Sequence, residues 1–91
     1  MSSSAGSAAY QRIMRGVNES ESAREFSVFL VKSNELLASC GRDTLLRTLS
    51  QCENAIQDDE RRDAVESLAK AVKSSKADLG VAIIGWGRQY N

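Results

Sequence analysis

Four carboxylates crowded into one stretch, Asp58, Asp59, Glu60 and Asp63, are the first residues that could do chemistry. Hard divalent cations take several carboxylate oxygens, so a metal site is the sharp reading of this cluster. Its spacing does not match a calcium loop, and acids at a helix start are stabilised by the positive end of the helix dipole. A solvated helix start is therefore expected, with no metal. Serines are plentiful, but the chain has no histidine. That removes the usual base for a nucleophilic hydroxyl and a common zinc ligand. Ser67 and Lys70 could form a Ser–Lys pair, although such pairs arise easily by accident. No catalytic residue and no cofactor is assigned, and the chain is expected not to be an enzyme.

Cys40 and Cys52 are the only cysteines. Each lies on the apolar side of a helical pattern and reads as a small buried hydrophobe rather than part of a disulfide framework. The opening MSSSAGSAAY has neither a basic region nor a long apolar run, so a secretory signal is not expected. A cytoplasmic or other reducing intracellular compartment is the expectation. The strongly apolar stretch from Leu79 to Trp86 is broken by Gly80 and Gly85 and is too short to span a bilayer.

Lys70, Lys73 and Lys76 form a basic stripe that Arg12, Arg15, Arg42 and Arg47 could join in three dimensions. Small helical dimers grip duplex phosphates with such stripes. Twelve basic residues balance twelve acidic ones, however, and Glu66 and Asp78 interleave with the lysines. Binding of duplex RNA or DNA backbone without sequence preference is thus the alternative function, with those three lysines as its site. A helix-turn-helix around Gly41 is rejected because Arg42, Arg47 and Ser50 would occupy its buried positions.

The tail from Gly80 to Asn91 is the least ordinary segment. Its plain reading is a last helix or strand that closes the core with Ile83, Ile84 and Trp86. The sharper reading is a docking element, because Trp, Tyr and Arg dominate binding hot spots and Trp86, Arg88 and Tyr90 stand together here. Leu79, Ile83, Trp86, Arg88 and Tyr90 are the expected partner-binding residues.

Amphipathic helices must position these groups. Tyr10, Ile13, Met14 and Val17 share one stripe of a short helix that Gly16 and Asn18 should end. Ser22 and Glu25 have capping-box spacing. The following helix is expected to run unbroken from Phe26 to Cys40, with Gly41 closing it. Asp43 should cap a third helix that turns Leu45, Leu46, Leu49, Cys52 and Ile56 inward. A fourth starts near Asp58, with Arg62–Glu66 and Glu66–Lys70 as i,i+4 pairs. Val65, Leu68, Val72, Leu79 and Trp86 have nearly heptad spacing, which gives either a coiled-coil-like edge or, with equal weight, a break near Ser74 or Gly80.

At 91 residues there is room for one modest core. The fold class expected is all-α, a bundle of four to five amphipathic helices with dimerisation in reach. Residues 1–6 form a flexible lead-in, and 7–91 a single domain with an aromatic tail. The expected function is a protein–protein interaction module, a small adaptor, regulator or subunit, whose partner is another protein or a second copy; no membrane partner is expected.

Overall fold

The computed structural model describes residues 4–90, with side-chain surroundings from residue 6 onward. Among the described residues there are six α-helices and no strand: α1 (Ser4–Glu19), α2 (Ala23–Lys32), α3 (Asn34–Ala38), α4 (Arg42–Ala55), α5 (Asp59–Ser74) and α6 (Leu79–Gly87). A 3-10 turn, Arg88–Tyr90, follows α6. The first three residues of the expected lead-in, and Asn91 of the tail, lie outside the described residues.

Helix α1 runs further than its sequence signals suggest. It begins at Ser4 instead of Ser7 and continues past Gly16 to Glu19. Gly16 is a contact point, because a Cβ built there would come within 2.5 Å of Phe29 Cδ1. The missing side chain lets α1 approach the aromatic face of α2. Ser22 caps α2 by accepting from Glu25 N at 3.1 Å, while the Glu25 carboxylate accepts from Glu21 N at 2.9 Å. The first bond satisfies an amide that the helix start leaves without an intrahelical partner, and the second ties down the residue before the cap.

The expected single helix from Phe26 to Cys40 is divided at Ser33. The Ser33 hydroxyl donates to Phe29 O at 3.0 Å, and the Asn34 amide donates to Val31 O at 2.5 Å. Two adjacent polar side chains thus compete for the carbonyls of the helix ladder, and the helix breaks between them. With the break after Ser74 that the sequence allowed, this division brings the described helices to six, one more than expected. Gly41 adopts φ 85° and ψ 159° immediately before α4, backbone that only glycine enters readily. Its role is to start α4, which places Asp43 inside the first turn rather than at the cap.

Asp58 caps α5, accepting from Arg61 N at 2.9 Å. This bond is the main reason its carboxyl titrates below the ordinary aspartate value. Arg61 also binds Ser20 Oγ at 3.0 Å and Ser20 O at 2.5 Å, tying the α1–α2 joint to the start of α5. Arg62 pairs with Asp59, not with Glu66 as its spacing suggests. Helix α5 then stops at Ser74. Ser75 Oγ accepts from Ala77 N, and Asp78 caps α6 by accepting from Gly80 N at 3.1 Å. Arg42 secures this connection by donating to Val72 O and, at 3.4 Å, to Ala77 O. The heptad-like series is therefore split between two helices, and no continuous coiled-coil edge exists.

Helix α4 packs against both α1 and α5, while α6 packs among α2, α3 and α5. Every helix supplies the core: Ile13, Phe26, Leu30, Leu37, Leu45, Leu49, Val65, Leu68, Val72 and Ile83 are fully buried. Each such side chain contributes about 1.5–3 kcal/mol through its removal from water. Cys52 is buried among them, and its thiol is pushed up to about 12 by desolvation and, secondarily, by the charge of Glu53. Cys40 is only half-buried, with its Sγ 3.7 Å from Leu36 O. No described helix is long and apolar enough to cross a membrane.

Candidate functional site

The tail residues separate by burial. Ile83 is fully enclosed and Trp86 is 2% exposed, so both close the core. The Trp86 indole Nε1 donates to Ser67 Oγ at 3.1 Å, and its ring meets that of Tyr90 at 5.2 Å between centroids. Leu79 and Tyr90 are half-buried against the same core. Of the five expected partner-binding residues, only Arg88 is exposed. The plain reading of the tail as a core-closing helix accounts for Ile83 and Trp86. The outer side of α6 carries instead Val81, which the hot-spot composition did not single out, and Ile84, which was expected in the core and is exposed; Arg88 follows in the 3-10 turn.

All three large hydrophobic side chains exposed among the described residues, Val28, Val81 and Ile84, belong to α2 and α6. These two helices pack together, and a cavity of about 290 Å³ lies where they meet. Val28, Val31 and Ile84 line it, together with the buried Ser27 and Gly87 and the exposed Lys32 and Arg88. An adjoining depression of about 250 Å³ is lined by Val81, Ile84, Gly85 and Arg88. The helices approach because Gly87 carries no side chain, and a Cβ there would overlap Val31 Cγ2. A Cβ at Gly85 would meet nothing within 4 Å, which leaves that part of α6 open at its surface.

The chemistry available in this groove is limited. Its titratable side chains are two cations, and its one hydroxyl, Ser27 Oγ, donates to Arg24 O at 2.7 Å. No described buried side-chain nitrogen or oxygen lacks a hydrogen-bond partner. Among the described residues no group of three histidine, cysteine or acidic side chains could hold a metal ion. Ser67, the serine of the candidate Ser–Lys pair, is engaged by the Trp86 indole.

The three lysines of the alternative site do not form one helical stripe. Lys70 and Lys73 lie on α5, whereas Lys76 falls in the connection beyond its end. Lys70 and Lys73 share a depression between α4 and α5 with Glu53 and Glu66. The Glu53 carboxyl is raised by burial and by the charge of Glu66, and partly restored by Lys70. Two carboxylates beside these lysines oppose the approach of a phosphate backbone.

Comparison of the chain with protein-family models, curated proteins and solved structures found no match.

Proposed function

We propose that this chain is a non-enzymatic protein–protein interaction module that receives its partner in the groove between α2 and α6. The observation that carries this reading is the convergence of Val28, Val81 and Ile84 on one face, when every other large hydrophobic described is buried or half-buried. Single exposed apolar residues are ordinary on a protein surface. Two of them lining a concave, mostly apolar groove, with the third in the depression that adjoins it, mark a site that loses water favourably when a partner arrives. Helix-in-groove recognition uses such surfaces, with an apolar stripe of the partner laid between two helices. Small molecules suit it less, because a cavity of about 290 Å³ falls at the lower limit of ligand pockets and offers few convergent polar groups.

Selection of a displayed library of helical peptides on the immobilised chain tests this reading. The proposal expects binders that are lost in Val28→Asp and in Ile84→Asp, both of which alter partly exposed side chains and leave the helical spectrum unchanged. Absence of any binder, or binders indifferent to both substitutions, would contradict it.

A further inference from the structure

Three cations border the α2–α6 groove without a described ion pair, and they outnumber the two carboxylates beside them. Lys32 and Arg88 line the groove itself, and Arg24 lines the neighbouring depression with Val28 and Glu25. All three are exposed, and none of their side chains takes part in a described hydrogen bond or ion pair. On the α1 side of Val28, the depression that includes Lys32 also includes Glu19 and Glu25. Glu19 is paired with Arg15 at 2.8 Å, and Glu25 accepts from Glu21 N at 2.9 Å. Glu25 keeps its charge when it accepts from an amide and Glu19 is offset by Arg15, so the face offers apolar surface whose border is net cationic.

We infer that the occupant of the groove is an acidic amphipathic helical segment of another protein, seating its apolar stripe between Val28 and Ile84 and directing carboxylates to Lys32 and Arg88. This rests on the docking reading above and adds the chemistry of the partner. The dimensions of the site argue for a short segment rather than a second copy. A stable dimer of standard size buries about 800 Å² on each partner, roughly 15% of this molecule's 5319 Å² surface, and the groove is a small part of that. Charge complementarity at the rim sets partner choice and encounter rate more than total affinity.

The test uses a peptide library with a fixed leucine stripe at i, i+3, i+4 and i+7 and an equal mixture of Glu and Lys at the flanking positions. On the wild-type chain, the recovered sequences should be enriched in Glu. The variant Lys32→Glu/Arg88→Glu should reverse the enrichment toward Lys, and Lys32→Gln/Arg88→Gln should abolish it. Glu-rich peptides should bind the wild type roughly threefold to tenfold more tightly than their Lys counterparts at low salt, with the difference shrinking as salt is added. Peptides that depend on Ile84 but show no charge preference overturn this inference and leave the docking reading standing. Recovery of no peptide, or of peptides indifferent to Ile84, overturns both. A wild type that dimerises in sedimentation and loses the dimer in Ile84→Asp also overturns the inference, in favour of a second copy.

Discussion

The indole Nε1 of Trp86 donates to Ser67 Oγ at 3.1 Å, joining α6 to α5 across 19 residues of sequence. A buried indole needs a partner for its N–H, and a serine on the facing helix supplies it. Trp86 thus anchors the helix whose outer side carries Val81 and Ile84, and the proposed docking surface depends on a core contact made by a different face of the same helix.

Trp86→Ala should cost about 3–5 kcal/mol of stability, enough to threaten so small a domain. Ser67→Ala, which leaves the indole unsatisfied, should cost about 1–3 kcal/mol. Urea denaturation followed by circular dichroism measures both. Losses below half a kcal/mol at both positions would remove Trp86 from the core.

Gly87 and Gly85 stand two residues apart on α6 and should respond oppositely to alanine. Gly87→Ala must displace Val31 and should destabilise the chain, with Val31→Ala relieving part of the loss in a double-mutant cycle. Gly85→Ala meets open space and should stabilise the helix by about 0.5–1 kcal/mol. Equal effects at the two sites would mean that α6 does not lie against α2 as described.

The sequence pattern carried the helical class, the inward faces and the caps at Ser22 and Asp58, since these depend on neighbours three or four residues apart. The Ser22 hydroxyl has the partner that its spacing implies, Glu25 N, whereas the Glu25 carboxylate accepts from Glu21 N rather than from the amide of Ser22. Helix ends were less legible. Gly16 resembles a stop signal, but tertiary contact with Phe29 makes it a packing position, and no local rule distinguishes those uses. Ser33 and Asn34 were the available sign of a break, because both side chains can bond helix carbonyls, yet the apolar period runs across them undisturbed. The candidate site was hidden for a related reason. Val28, Val81 and Ile84 are common apolar residues, and only the packing of α2 on α6 decides that they remain exposed together.

Cys52 should be inert to thiol reagents in the native state. With its pKa pushed up to about 12 by burial, the thiol stays protonated near neutral pH, and the thiolate is the reactive form. Native labelling followed by mass spectrometry should place modification at Cys40 first, with Cys52 labelled at the rate of unfolding. Equal rates under native conditions would contradict the burial of Cys52.

The Asp58 carboxyl has a folded pKa below its unfolded value, mainly because it accepts from Arg61 N. The stability it contributes is present above the ordinary aspartate range and is lost as pH falls through the lower folded value. Acidification below about pH 4 should lower the melting temperature less in Asp58→Asn than in wild type. Parallel acid profiles would assign the loss to other carboxylates.

Replacement of Lys70, Lys73 and Lys76 together by Gln should leave both the fold and any retention of duplex RNA unchanged, because Glu53 and Glu66 border the first two. A wild-type complex at physiological salt that vanishes in the triple variant would favour the nucleic-acid reading.

The most direct test of the docking face is a methyl chemical-shift titration of the isotope-labelled chain with a peptide recovered from the Glu/Lys library. The account predicts that the largest shifts fall on the methyls of Val28, Val31, Val81 and Ile84, while Leu46 beside the α4–α5 depression moves little. Largest shifts at Leu46, with the α2–α6 methyls unmoved, would contradict it.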